Sequence, residues 1–290
     1  MMAIEIGKRN YLAYLLLPHP VKMSLLSPAS HAKLDRINRM FNERIYSGEA
    51  AAAYDAIHRY GAAEQHEYPA QLLVERIWAP GGYGHALELG AGSGYFTVLV
   101  ARRAQRVVAI EGVPDMERTL RVRVASAGLD NVGTVGASVF DLDRYVPAGS
   151  MDAALVIQSL HHFHRRPEVL RAVGRAVRPG GSLFLIEPHH NLRRVARLLR
   201  EYVRTYHARE FWTDELRWAT HDFLTRGEIR SLCRTGGFED VRISGFWFPY
   251  SRRFVPDPVR RFYVERMLSR VPGVRHLAAV LAVEARRGAA

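Results

Sequence analysis

A doubly wound, mostly parallel α/β sheet of seven strands is the fold class this sequence predicts, and three observations predict it. From residue 85 onward, short continuously apolar segments alternate with segments of helical period. Strands apolar on both faces belong to parallel βαβ units, whose helices cover the sheet on both sides. The first apolar segment, HALEL, runs straight into the glycine-rich turn GAGSG, and that turn opens a helix. The 290 residues, 48% apolar and 24% charged, suffice for one catalytic-sized domain with helical additions.

Taken in order, the elements justify that reading. Leu34, Ile37, Phe41 and Ile45 recur at helical steps until Gly48. A second short helix is expected over 49–60, and a third from Pro69, with Leu72, Leu73 and Ile77 inward. APGGYG then breaks the chain, so residues 1–80 read as a helical cap and 81–290 as the main domain. HALEL is the first strand, residues 95–105 a helix through Phe96, Leu99, Val100 and Arg103, and RVVAIE the second strand. Pro114 opens a helix with Met116, Leu120 and Val124 on one face, and Gly128 stands at its C-terminal stop. NVGTVGA and MDAALVIQ are strands three and four. Pro167 starts a helix through Val169, Leu170, Val173 and Val177 that RPGG ends, and SLFLIE is strand five. An insertion over 190–225 begins with an amphipathic helix, residues 191–209, with Leu192, Val195, Ala196, Leu199 and Val203 on one side and Arg193, Arg197, Arg200 and Arg204 on the other. Thr225 and Glu228 form a capping-box pair for the next helix, which stops at Gly236. EDVRISGFWF and RHLAAVLAVEAR are the last two strands, with a helix around 258–270 between them.

Composition narrows the functional classes. The 41 basic residues against 29 acidic ones give a formal charge of +12, which suits anionic partners. All but Lys8, Lys22 and Lys33 are arginines spread through nearly every segment, so the charge reads as a solvated surface and nucleic acid is not the expected partner. Cys233 is the one cysteine, which excludes an internal disulfide and any multi-cysteine zinc site and points to a cytoplasmic protein. No stretch reaches the length of a membrane span, and the apolar run from Tyr11 to Leu17 is too short for a signal peptide.

Gly90, Gly92 and Gly94 let the backbone turn sharply and approach a ligand closely. Glu111 ends the second strand, where a carboxylate can accept from both hydroxyls of a ribose. A dinucleotide fingerprint starting at Gly90 would need a glycine where Tyr95 stands, and a phosphate-binding loop of the Gly-Lys-Ser/Thr kind would need a lysine, none of which occurs after Lys33. What remains is G-x-G-x-G with Glu88 two residues ahead, a loop suited to a ligand with an amino acid and a nucleoside but no phosphate.

On these residues, together with SMDAALVIQSLHHF and RAVRPGGSLFLIEP, the chain resembles the class I S-adenosylmethionine-dependent methyltransferases from about His85 to Glu187, with a looser likeness through RTGGFEDVRIS. The resemblance implies a Rossmann-like sheet, S-adenosyl-L-methionine as cofactor, and a methyl acceptor placed at the strand ends. It further implies that Glu88 and the loop of Gly90, Ala91, Gly92 and Gly94 meet the methionine part, Glu111 the ribose, and Ser138, Asp141 and Gln158 the remaining cofactor wall. The family's acid directly after the third strand is replaced by Ala137, which leaves the adenine to Ser138 or Asp141.

Methyl transfer is an in-line displacement that needs orientation and, for a protonated nucleophile, a base. His161 and His162 after strand four and His190 after strand five are the candidate bases, and no metal is required. Glu187, His189, Tyr54, Tyr206 and Trp212 are the candidate substrate contacts. The expected acceptor is a small molecule, methylated at oxygen or nitrogen, with aromatic compounds and natural-product intermediates among the candidates. A nucleic-acid methyltransferase is the alternative that the charge suggests, but the Asp/Asn-Pro-Pro-aromatic turn of base N-methylation is replaced here by Gln158-Ser159-Leu160-His161. A third class is a protein that uses the cofactor for other chemistry or holds it as a noncatalytic ligand.

Overall fold

The computed structural model describes residues 11–57, 68–218 and 222–289. Its strands are β1 Gly84–Leu89, β2 Ala104–Glu111, β3 Val132–Gly136, β4 Met151–Ile157, β5 Val177–Pro188, β6 Phe238–Phe246 and β7 Val280–Arg287. They form one sheet in the order β3-β2-β1-β4-β5-β7-β6. The first five pair in parallel, and β7 runs antiparallel between β5 and β6. The order reverses between β1 and β4, so the crevice of this open sheet lies beyond the C-terminal ends of those two strands.

Alternation along the central strands divides the core. Ala153, Leu155 and Ile157 of β4 join Ala86 of β1 in the cluster on one face, while Ala154 and Val156 join Leu87 and Leu89 on the other. Both faces are therefore dry, which is why these strands read as unbroken apolar runs.

Two element ends differ from the expectation. The helix after the glycine turn is Tyr95–Ala101 and stops short of residue 105. The chain turns there because the Arg103 guanidinium donates to the carbonyls of Val74, Trp78 and Ala79 at 2.5, 3.1 and 2.6 Å, stapling the preceding segment. Val177 belongs to β5 rather than to the Arg166–Ala176 helix: it pairs with Met151, and β5 carries the RPGG segment as a register irregularity.

The N-terminal helices Tyr11–Leu16, His19–Leu25, Pro28–Ile45 and Gly48–Ile57 pack beside this sheet; the part of the second expected helix beyond Ile57 lies outside the described residues. Ser27 caps the longest of them by accepting from the Ser30 amide, with Pro28 in its first turn. A buried tie joins them to the main domain. Lys22 Nζ donates to Asp222 Oδ1 at 2.5 Å, His19 Nδ1 to Asp222 Oδ2 at 2.9 Å, and His19 Nε2 to the His164 carbonyl at 3.0 Å.

The insertion helix Leu192–Thr205 buries only one edge of its apolar side. Its buried seam is Leu198, with Tyr202 half-buried beside Tyr11, Tyr14 and Leu34. The stripe of Leu192, Leu199 and Val203 faces outward instead. Wheel position alone identifies an apolar arc but not which edge of it a neighbour will cover.

Candidate active site

A cavity of about 610 Å³ opens at the β1/β4 crevice, within the range of small-molecule sites. One wall is the glycine turn with the ends of β2 and β4: Gly90, Gly92, Glu111, Ser138, Asp141 and Gln158 all line it. Gly90, Gly92 and Gly94 have φ of 65°, 55° and 84°, the left-handed region that favours glycine. Their tasks differ. A Cβ on Gly90 would lie 2.5 Å from Ser159 Cβ, and one on Gly94 2.6 Å from Leu120 Cδ1, whereas one on Gly92 would meet nothing within 4 Å. Gly90 and Gly94 are thus packing glycines, and Gly92 is the one that leaves space for a ligand. The Ala91 amide shares the Ile110 carbonyl with Gly90; Ala91 and Gly94 shape the loop and do not line the cavity.

Glu111 reaches back to this loop. Its Oε2 accepts from the Gly92 amide at 2.7 Å and its Oε1 from the Val113 amide at 2.8 Å. Burial raises its pKa, and those amides oppose the shift by favouring the carboxylate. Glu88 is placed differently from the expectation: it lies wholly buried behind the wall rather than on it, because its position on β1 points into the core. Burial pushes its pKa up to about 7, and its Oε2 has no hydrogen-bond partner among the described residues. The open cradle at Gly92 and the orphaned acceptor of Glu88 behind it suit a ligand with a cationic amino-acid part. Gln158, in the left-handed region at φ 53° without being a glycine, marks the strained end of β4 on the same wall.

The opposite wall comes from the Pro28–Ile45 helix, the Tyr46 that follows it, and Tyr54 of the Gly48–Ile57 helix. Asn38, Arg39, Asn42, Tyr46 and Tyr54 face the cavity, and the Tyr46 and Tyr54 rings meet edge to face at 5.0 Å. Sequence reasoning read the longer helix for its apolar stripe and missed Asn38, Asn42 and Tyr46. Their signal was present, since residues 35, 38, 39, 42 and 46 form a polar stripe at helical spacing.

His162 stands between the walls. Its Nδ1 lies 3.0 Å from Asn42 Oδ1 and its Nε2 3.3 Å from the Tyr46 hydroxyl. An Nδ1–H donated to the amide oxygen puts the ring's basic lone pair on Nε2, beside the Tyr46 hydroxyl, in a residue that lines the cavity. His161, next in sequence, is buried and does not line the cavity. Its Nδ1 donates to Glu187 Oε2 at 2.8 Å, and the same carboxylate accepts from the amides of Ser159, Leu160 and His161. Glu187 is therefore no substrate contact: it is fully buried as the anchor of the turn after β4. Burial lifts its pKa to about 8, with these amides and the Arg166 charge opposing the rise. Arg166 braces the turn from the other side, donating to the carbonyls of Leu160 and Phe163, each at 3.2 Å, and of His161 at 3.3 Å. Its charge is met by Glu228 Oε1 at 2.5 Å.

The remaining candidates are drawn elsewhere. His189 is buried, donating to the Ala278 carbonyl at 2.8 Å, and burial lowers its pKa to about 4. His190 Nε2 meets the Leu16 carbonyl at 3.1 Å beneath the first helix. Antiparallel β7 and the N-terminal helices cover that strand end, which sequence periodicity does not show. Tyr206 and Trp212 pack in the cluster of Tyr11 and Phe211 and hold the insertion against the first helix rather than lining the cavity.

Comparisons with known proteins agree with this geometry. Residues 87–185 match the family model described as a methyltransferase domain. The ubiquinone biosynthesis O-methyltransferase of Xanthomonas axonopodis pv. citri is 27% identical over 171 residues, 58% of this chain and 68% of that protein. Its counterpart in Xanthomonas campestris pv. campestris strain B100 is 26% identical over 185 residues, 62% of this chain and 73% of that protein. Among solved structures, a methyltransferase of Thermotoga maritima described as a possible histamine N-methyltransferase superposes with a TM-score of 0.53 at 17% identity, covering 86% of this chain and 99% of that one. Phosphoethanolamine N-methyltransferase 2 of Haemonchus contortus, solved with S-adenosyl-L-methionine, gives 0.61 at 15% identity over 87% and 60% of the two chains. The structural likenesses carry the fold, and the sequence matches carry the domain. With a methyltransferase domain matched over residues 87–185 and a sheet shared with solved methyltransferases, the chain carries a methyltransferase domain of the class I, Rossmann-like fold.

Proposed function

We propose that this enzyme methylates an oxygen of a small-molecule acceptor, with His162 taking the proton of the attacking hydroxyl. The observation that carries the reading is the His162 ring itself, oriented by Asn42 on the cavity wall with Nε2 beside Tyr46. Imidazoles as a class titrate near neutral pH and suit deprotonation of a phenolic hydroxyl. The bound cofactor supplies an electrophilic methyl group on a sulfonium. The chain's own part is to hold and to exclude: Gly92 and Glu111 seat the cofactor on one wall, Ser138, Asp141 and Gln158 extend that seat, and Asn38, Asn42, Tyr46 and Tyr54 bound the acceptor. Phe140 and Phe163, rings 6.4 Å apart, add an apolar surface beside His162, which suits a planar acceptor. The sequence relatives described as O-methyltransferases support oxygen as the receiving atom.

The test incubates the full chain and S-adenosyl-L-methionine with separate panels of phenols, catechols and primary amines, and follows S-adenosylhomocysteine and methylated product by mass spectrometry. Turnover confined to hydroxyl acceptors is the expected outcome. Turnover of amines alone would overturn the assignment of oxygen. Release of methylthioadenosine without S-adenosylhomocysteine would overturn methyl transfer.

A further inference from the structure

The insertion helix has three longitudinal surfaces, and the fold uses only one. Leu198, 5% exposed, and half-buried Tyr202 form the seam against the N-terminal helices. Beside that seam runs the stripe of Leu192, Leu199 and Val203, exposed by 77%, 40% and 69%, with Ala196 on the same face. Beyond the stripe runs a ridge of Arg193, Arg197, Arg200 and Arg204, all exposed. The Val274–Leu277 turn packs against the same helix and contributes exposed Leu277 and Arg275. Single exposed leucines are ordinary, but an apolar stripe bordered along its length by cations is not.

We infer that this helix face is a docking surface for an anionic lipid bilayer, lying in the interface without crossing it. No helix among the described residues is long and apolar enough to span a membrane. The arrangement suits shallow insertion: leucine and valine enter the acyl boundary while the flanking arginine stems reach up to the headgroups. Charge complementarity selects the lipid, since a chain of formal charge +12 with four arginines on one ridge favours a negative surface. The same ridge on nucleic acid would leave the leucines and valines unpaired, because single strands are held by aromatic stacking that this face lacks. The helix starts four residues after β5 ends, on the C-terminal side of the parallel strands, the side to which the crevice belongs. Docking there would hold the cavity close to the membrane surface.

The test is sedimentation of the full chain with vesicles of phosphatidylcholine alone and of phosphatidylcholine containing phosphatidylglycerol. Binding to the second kind only, weakened by salt, is expected. Leu192→Ser, Leu199→Ser and Val203→Ser combined should lower the partition coefficient at least about tenfold. Arg193→Gln, Arg200→Gln and Arg204→Gln combined should lower it about a hundredfold. These side chains are exposed, so both variants should keep the wild-type melting temperature and S-adenosylhomocysteine affinity. No binding by the wild type, equal binding to both vesicles, or anionic binding untouched by either triple variant would overturn the proposal. So would a dimer that the serine variant dissociates, or capture of RNA without capture of vesicles.

Discussion

Two neighbouring strands each end in a pair of histidines, and the pairs have different fates. After β4, His161 turns inward to Glu187 while His162 turns outward between Asn42 and Tyr46. After β5, both His189 and His190 are captured by backbone carbonyls. The difference lies in what covers the strand end. The β4 turn is gripped by Glu187 at its amides and Arg166 at its carbonyls, so it is rigid yet still exposed to the cavity. The β5 turn is roofed by β7 and the first helices. Residue type and position at a strand end are therefore not enough to make a base. A ring must also be held on the cavity wall, as Asn42 and Tyr46 hold His162.

The sharpest way to break this comparison is to remove each ring in turn. We predict that His162→Ala lowers kcat by about 10²- to 10⁴-fold with little change in S-adenosylhomocysteine affinity, whereas His190→Gln changes kcat by less than about threefold. Steady-state kinetics and calorimetry on both variants check this, and equal losses would erase the distinction. Glu187→Ala should next cost about 3 to 5 kcal/mol of stability, because it leaves the three turn amides and the His161 ring without their buried acceptor; urea unfolding measures it.

The third prediction concerns pH. Burial holds His189 to about pKa 4 against an ordinary 6.5. Between those values the unfolded chain binds the proton and the folded chain does not, so this contribution is full above pH 6.5 and lost as pH falls toward 4. The buried carboxyls Glu88 and Glu187 titrate in the opposite sense, so the reading comes from comparison with His189→Gln. The wild type's lead in stability over that variant should shrink by up to about 3 kcal/mol between pH 6.5 and 4. A lead that stays constant would mean that the imidazole is not buried as described.

Smaller effects sharpen the cofactor side. Glu111→Ala should weaken S-adenosylhomocysteine binding by about 1 to 3 kcal/mol, read by calorimetry. Tyr46→Phe, which removes a single hydroxyl 3.3 Å from Nε2, should cost only about 1 kcal/mol in kcat/KM.

Much of the fold was legible because parallel strands buried on both faces leave unbroken apolar runs, and because Pro114, Gly128 and Thr225 punctuate helices by local chemistry. That Gly92 and Glu111 share one cavity wall was legible for a related reason: both stand at strand ends beside the crevice. The acceptor wall was not. Asn42 and Tyr46 acquire meaning only when a distant helix is laid across the crevice, and that docking depends on Lys22, His19 and Asp222, which share no local pattern. Glu187 was misread for the same reason, since a carboxylate at a strand end looks alike whether it faces a ligand or a ring of amides. The buried edge of the insertion helix was not legible, because amphipathicity records an apolar arc but not how much of it the protein covers.

The tie through Asp222 also sets the order in which the molecule is completed. His19 and Lys22 precede their carboxylate by 203 and 200 positions, so the segment bearing Asn42 and Tyr46 is synthesised well before the carboxylate that ties its neighbours down. Loop-closure entropy grows only slowly with span, so the wait reflects synthesis more than energy. A growing chain thus has the glycine wall, from β1 to β4, before the opposite wall is tied down, and that tie forms only once Asp222 has emerged.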